Sequence, residues 1–198
     1  MNLPNKITTF RMICVIFIAV LLLLPADWFI LIPFINVSLN FLIAWFLFIV
    51  ASLSDMVDGY IARKHDMVTD YGKFMDPIAD KLLVNSVLII LTCYGPIRIH
   101  VICVLIMISR DIVVDAVRMN AVRKNVVIAA NVWGKLKTIF QMVGLTFVLI
   151  NDLGLDQLLH LENNYYIGQI IIYIATFISV ISGVVYLIQN RQVFSEMK

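Results

Sequence analysis

The sequence contains few charged residues for its length. Only 14% of its 198 residues are charged and 62% are hydrophobic, whereas a soluble domain has about 25% charged and about 45 to 50% apolar residues. This composition excludes an ordinary soluble domain. We therefore expect an integral membrane protein whose activity lies in or at the bilayer.

Features of nucleic-acid binding and of cysteine-based sites are also missing. The net charge is only +2 and no basic run occurs, which argues against a nucleic-acid partner. The three cysteines, Cys14, Cys93 and Cys103, lie far apart in apolar runs and form no CxxC motif. We expect them to be small buried hydrophobic residues rather than disulfide partners or metal ligands.

Charges, prolines and glycines divide the chain into apolar segments. With spans of about 20 residues, the length allows roughly six transmembrane helices and no sizeable soluble domain. The sequence thus predicts an all-α, polytopic membrane protein with a single domain over residues 1–198. The predicted segments are Thr8–Leu24, Val37–Arg63, Gly72–Tyr94, Ile97–Val122, Val132–Asn151 and Tyr165–Gln189.

The lysines and arginines are distributed unequally between the two sets of segment ends. All of them except Arg98 lie at one set of ends, together with both termini. Because short cytoplasmic loops carry an excess of basic residues, we expect both termini and the charged stretch at residues 54–81 to face the cytoplasm. The predicted location is the cell membrane, crossed several times.

Two pairs of aspartates lie within this charged stretch. Asp55 and Asp58 are three residues apart, and Asp76 and Asp80 are four apart, so each pair shares a helix face. A short connection would pack the two helices antiparallel, and the converging carboxylates would repel one another unless cations or protons neutralised them. All-oxygen ligands favour Mg²⁺ or Mn²⁺, and two such ions suit a phosphoryl-type displacement.

Small residues lie beside the aspartates. Gly59 and Ala62 follow the first pair, and Gly72 precedes Asp76 by one turn, so a phosphate or a base could approach the backbone closely. Arg63 adds a planar cation that can bind phosphate. The alternative is that these charges only cap helix ends, but ionisable residues within membrane spans are costly and usually functional.

Together these residues resemble the signature of the CDP-alcohol phosphotransferase family, DxxDGxxARx8GxxxDxxxD. The resemblance implies a six-helix membrane enzyme, commonly a dimer, in which an acceptor hydroxyl displaces CMP from a CDP-linked lipid or alcohol. It also implies that the four aspartates bind two divalent ions and that Asp80 is the general base. The matching residues are Asp55, Asp58, Gly59, Ala62, Arg63, Gly72, Asp76 and Asp80.

Other segments are similar to members of this family that use glycerol 3-phosphate as the acceptor. NLPNKITTFRM resembles their N-terminal segment, and SRDIVVDAVRMNAVRKN and WGKLKTIFQM resemble their acceptor half. One departure is Asp111, where many members carry glutamate. The last apolar segment carries nothing specific to the family. The resemblance implies a CDP-lipid site formed by Asn5, Thr8, Arg11, Gly59, Ala62, Arg63 and Gly72.

A cluster of basic residues is the second candidate site. Arg110 and Arg118 are eight residues apart, about two helical turns, and Lys135 and Lys137 begin the next apolar segment. Beside a metal site, such a cluster would bind the phosphate of an anionic acceptor. The alternative is that these residues follow the positive-inside rule and contact lipid headgroups.

The leading hypothesis is transfer of the phosphatidyl group from CDP-diacylglycerol to sn-glycerol 3-phosphate, which gives phosphatidylglycerophosphate and CMP. We expect a homodimer surrounded by membrane lipids. The same chemistry with inositol phosphate, serine or phosphatidylglycerol as acceptor stays open. A divalent-cation transporter is disfavoured because the outer halves of the segments offer few polar residues for a conduction path. A non-catalytic scaffold would keep its function after Asp80→Asn.

Overall fold

The computed structural model describes the backbone of residues 3–64, 70–123, 132–154 and 166–190, and the side chains of 7–54, 72, 74–121, 132–154 and 166–190. Long α-helices make up most of these residues. They are α1 (Leu3–Leu23), α2 (Leu39–Lys64), α3 (Asp70–Cys93), α4 (Val101–Arg123), α5 (Val132–Leu149) and α6 (Ile167–Gln189).

Short elements lie at the helix ends opposite the predicted sites. A 3-10 helix, Ala26–Trp28, precedes an antiparallel hairpin of β1 (Leu31–Ile32) and β2 (Val37–Ser38). A second 3-10 turn, Asn151–Gly154, follows α5. Three consecutive residues of this turn have positive φ angles of 49°, 53° and 60°, a conformation that does not continue a right-handed helix.

The predicted all-α architecture is confirmed, and each predicted segment overlaps one of the six described helices. The largest differences are at two helix starts. α1 begins at Leu3 rather than Thr8, and α4 begins at Val101 rather than Ile97. Ile97 and Ile99 are buried without being helical, and the Ile99 amide donates to the Leu91 carbonyl at 3.0 Å. Their hydrophobicity therefore reflects burial rather than helical conformation.

Packing divides the helices into two groups that share a core. α1 packs extensively against α2 and α3, and α6 packs against α4 and α5. Within the described residues, α2 and α3 contact each other less than each contacts α1, so the predicted antiparallel pair is bridged by a third helix. The core includes Ile18, Phe48, Leu88, Leu145 and Ile172, all at most 1% exposed.

The outer surface is strongly apolar. Ile16, Phe17, Ile102 and Phe177 are each at least 60% exposed, and soluble monomers rarely show large contiguous apolar patches. In the described part of the chain, α5 and α6 are long and apolar enough to cross a membrane. Shorter apolar stretches occur at Ile7–Leu23 and Leu39–Ser54. Both observations fit a bilayer environment.

The cysteines form no disulfide. Cys14 and Cys103 are buried as expected, but Cys93 is exposed, so the prediction of burial was wrong for Cys93. It occupies the last position of α3, where the helix ends and fewer neighbours cover its side chains.

Candidate active site

α3 presents a stripe of site residues near its start. Gly72, Asp76 and Asp80 follow one another at intervals of four residues within this continuous helix, so they lie on one face. Gly72 is buried, and both aspartates are partly buried. The two carboxylates are thus one turn apart and half shielded from solvent.

α1 contributes two buried polar residues to the same region. The Thr8 hydroxyl donates a hydrogen bond to Asp76 Oδ1 at 2.6 Å. Arg11, three residues further along α1, shares the helix face of Thr8, and both side chains are at most 1% exposed. α1 therefore connects the N-terminal segment directly to the aspartate stripe of α3.

Several predicted site residues lie outside the part of the structure whose side chains are described. Their backbone belongs to α1 or α2, but no contact of their side chains is described. They are Asn5, Asp55, Asp58, Gly59, Ala62 and Arg63.

The described residues contain no cluster of three or more histidine, cysteine, aspartate or glutamate side chains suited to a metal. Two of the four predicted metal ligands, Asp76 and Asp80, are among these residues, and the other two are not. The side-chain oxygens of Asp76, Asp80 and Thr8 fit a hard divalent cation, because carboxylate and hydroxyl oxygens are the ligands that Mg²⁺ and Mn²⁺ prefer.

A cavity of about 240 Å³ adjoins the aspartate stripe. Asp80 contributes to its wall, so the predicted base and the predicted acceptor residues border one space. The four predicted acceptor residues that line it are Arg110, Arg118, Lys135 and Lys137. A larger cavity of about 490 Å³ lies between the end of α1 and the start of α2, and no charged residue lines it.

The charge of the first cavity is unbalanced. Its lining also includes Lys81, Asp111 and Asp115, and Lys81 forms an ion pair with Asp115. Counting every charged residue of the lining, five cations face three carboxylates. The two surplus positive charges suit a phosphate dianion.

Asp111 joins two of the predicted acceptor residues. Its Oδ1 accepts a hydrogen bond from Arg110 Nη1 at 3.0 Å, and its Oδ2 accepts one from Lys137 Nζ at 2.8 Å. Lys137 is 3% exposed, whereas Arg118 and Lys135 are exposed. A buried, paired cation and two exposed ones therefore meet at the cavity.

α6 holds Arg110 in place, which the sequence did not reveal. Arg110 Nη2 donates to Ser182 Oγ at 2.5 Å. A Cβ atom at Gly134 would lie 3.3 Å from Nη2, and one at Gly183 would lie 3.1 Å from Cγ of Arg110. The two glycines therefore let α5 and α6 approach the arginine closely.

The chain matches the CDP-alcohol phosphatidyltransferase family over residues 1–181. A Bacillus subtilis protein is 36% identical over 190 residues, covering 96% of this chain and 95% of its own. A Mycoplasma genitalium protein is 39% identical over 168 residues (83% and 69%), and a Rickettsia typhi protein is 36% identical over 185 residues (93% and 94%). All three are named CDP-diacylglycerol–glycerol-3-phosphate 3-phosphatidyltransferase.

Proposed function

Because the chain belongs to the CDP-alcohol phosphatidyltransferase family, we propose that it transfers the phosphatidyl group of CDP-diacylglycerol to sn-glycerol 3-phosphate. The products are phosphatidylglycerophosphate and CMP. The relatives named above carry this activity in their names. The observation that carries the proposal is the cavity in which Asp80 borders a surplus of cationic side chains.

The cationic cavity favours an anionic acceptor over a neutral one. Arg118 and Lys135, which are exposed at its lining, are placed to bind the acceptor phosphate, with Lys137 behind them. Serine has no phosphate to pair with the two surplus positive charges of the cavity. Glycerol 3-phosphate and inositol phosphate both have one, and the names of the relatives favour the former.

In the proposed reaction, Asp80 accepts the proton of the primary hydroxyl of glycerol 3-phosphate. The hydroxyl oxygen forms a bond to the lipid-side phosphorus, the bond from this phosphorus to the bridging oxygen breaks, and CMP leaves with that oxygen. Asp55, Asp58, Asp76 and Asp80 would hold two Mg²⁺ or Mn²⁺ ions. When bound, these ions neutralise the pyrophosphate and stabilise the leaving phosphate.

The donor site in this proposal lies at the N-terminal side of the aspartates. The hydrogen bond from Thr8 fixes the Asp76 carboxylate, and Arg11 brings a buried positive charge to the same face of α1. The residues proposed for CDP-diacylglycerol are Asn5, Thr8, Arg11, Gly59, Ala62, Arg63 and Gly72.

We also propose that all six helices cross the cell membrane with the site at the cytoplasmic face. The exposed apolar residues on α1, α4 and α6 support this arrangement. The charged residues of α3 lie in its first half, and those of α4 lie between Arg110, near its middle, and Arg123 at its end. On both helices they occupy the part that forms the site. Cytoplasmic termini and a homodimer stay predictions of the sequence and of the family.

The experiment that tests the function is a product assay. Purified protein in detergent micelles receives CDP-diacylglycerol, Mg²⁺ and labelled glycerol 3-phosphate, and CMP and labelled lipid are quantified. We expect equal amounts of both products. Lipid product from inositol phosphate, serine or phosphatidylglycerol, with none from glycerol 3-phosphate, would assign another acceptor. Cation flux into protein-containing vesicles without CMP release would favour a transporter.

Thr8→Val is expected to weaken divalent-cation binding, since it removes the hydrogen bond to Asp76 while keeping the side-chain shape. Losing the partner of a metal-ligand side chain costs roughly 10- to 100-fold in metal affinity or activity. The Mg²⁺ concentration for half-maximal activity should rise by this factor, and the Mg²⁺-induced rise in Tm should require correspondingly more ion. Thr92→Val, whose hydroxyl bonds only within the far end of α3, is the control. An unchanged Mg²⁺ dependence would contradict the assignment.

Ser182→Ala is expected to raise the KM for glycerol 3-phosphate by roughly tenfold, the usual effect of losing a hydrogen bond to a charged group. The reason is that Arg110 loses its contact with α6, while kcat should change little. Ser179→Ala is the matched control, because Ser179 is equally buried one turn earlier and its hydroxyl has no hydrogen-bond partner in the described part of the chain. Equal effects of both substitutions would indicate a general packing defect instead.

A further inference from the structure

Two polar groups in the cavity wall are buried without a protein partner. Tyr186 and Gln141 are each 2% exposed, and both line the cavity beside Asp80. Among the residues whose side chains are described, neither the Tyr186 hydroxyl nor Gln141 Nε2 has a hydrogen-bond partner. Buried polar atoms are almost always hydrogen-bonded in native proteins, so this pair indicates a ligand that supplies the missing partner.

The fold holds Tyr186 firmly at this position. Its ring packs with Val114 and Val117 of α4. It lies one turn after Ser182 on α6, so it shares the helix face that contacts Arg110. Gln141 lies one turn after Lys137 on α5. Two neutral hydrogen-bonding groups therefore stand next to the charged groups of the cavity.

The chemistry of these groups limits the part of the acceptor that they can bind. Phosphate is better served by the arginines and lysines of the same lining, and the attacking primary hydroxyl faces Asp80. A tyrosine hydroxyl can donate or accept, and an amide nitrogen donates. The pair suits a neutral hydroxyl that both donates and accepts.

We propose that Tyr186 and Gln141 bind the secondary, non-reacting hydroxyl of glycerol 3-phosphate and thereby select a polyol phosphate. This inference rests on the proposed function. It adds a hydroxyl-binding subsite formed by α5 and α6 to the proposed phosphate site. An acceptor that lacks this hydroxyl would leave both groups without a partner.

The test compares glycerol 3-phosphate with 3-hydroxypropyl phosphate, which lacks only the secondary hydroxyl. For the unaltered enzyme we expect kcat/KM to be roughly ten- to hundredfold lower with the analogue. Tyr186→Phe keeps the ring packed on α4 and should remove most of this preference. It should lower kcat/KM for glycerol 3-phosphate and leave kcat/KM for the analogue nearly unchanged. Gln141→Met should act in the same direction. Tyr173→Phe, outside the cavity on the same helix, should keep the preference.

Three results would overturn the inference. The first is an unaltered enzyme that does not distinguish the two acceptors. The second is a Tyr186→Phe variant in which kcat/KM falls equally for both acceptors, since Tyr186 would then contact a group that both acceptors have. The third is a Tyr186→Phe variant with the full preference. An unaltered enzyme that turns over neither acceptor would overturn the proposed function itself, so the two failures are distinguishable.

Discussion

Asp80→Asn is expected to lower kcat by roughly a hundred- to ten-thousandfold, the usual contribution of a general base. The substitution keeps the size of the side chain but leaves no carboxylate to accept the proton of the acceptor hydroxyl. Asp80 lies on the α3 stripe and also borders the cationic cavity. Among the described residues it therefore belongs both to the proposed metal site and to the proposed acceptor site. The measurement is CMP release at saturating acceptor across a Mg²⁺ titration.

The control for this prediction is Asp27→Asn, which changes the same chemical group in the 3-10 helix at the opposite end of the fold. We expect it to keep its activity. Both variants should keep the helical circular dichroism spectrum of the unaltered protein. Substantial CMP release by a folded Asp80→Asn variant would contradict the proposed base and would favour the scaffold alternative.

Lys137→Met is expected to raise the KM for glycerol 3-phosphate by roughly thirtyfold or more, because removing one side of a buried charge pair costs about 2 to 5 kcal/mol. Lys137 is 3% exposed and donates to Asp111 at 2.8 Å. Its loss removes a positive charge from the cavity and leaves Asp111 paired only with Arg110 among the described contacts. The measurement is the acceptor dependence of CMP release.

A double variant separates two causes of this effect. If Lys137 serves only to neutralise Asp111, Lys137→Met combined with Asp111→Asn should recover most of the acceptor affinity, since no unpaired carboxylate remains. If Lys137 contacts the acceptor phosphate, the double variant should stay close to the single one, which is the result we expect. Arg98→Met, which removes a cation beside the start of α6 and outside the cavity lining, should leave KM unchanged.

The helices were predictable because each predicted segment contains a long apolar run. Helix ends were less predictable, since hydropathy reports burial and not backbone conformation. Ile97 and Ile99 are buried in the non-helical connection between α3 and α4. By contrast, α1 extends through Pro4, Asn5 and Lys6 before Thr8, so hydropathy alone does not mark its first residue.

The aspartate stripe was predictable from local spacing, because residues four apart share a face of any helix. Contacts between distant segments were not. Asp111 and Lys137 are 26 residues apart, and nothing in their spacing indicates that one carboxylate pairs with both Lys137 and Arg110. Only the packing of α4 against α6, and of α6 against α5, brings these side chains to one cavity.

The contribution of α6 to the site was not predicted from the sequence. Ser179, Ser182 and Tyr186 follow one another at intervals of three and four residues in a mostly apolar helix, with Gly183 beside Ser182. In a membrane span, such a stripe of small and polar residues is typical of a face that packs on other helices. This pattern could have predicted a buried polar face on α6, although not its contact with Arg110.

The central claim is that the cationic cavity beside Asp80 binds the acceptor. The most direct test is an experimental structure of the protein with bound glycerol 3-phosphate and Mg²⁺. The account predicts the phosphate between Arg118, Lys135 and Lys137, with the primary hydroxyl directed at Asp80. A phosphate bound outside this cavity, or a primary hydroxyl directed away from Asp80, would contradict it.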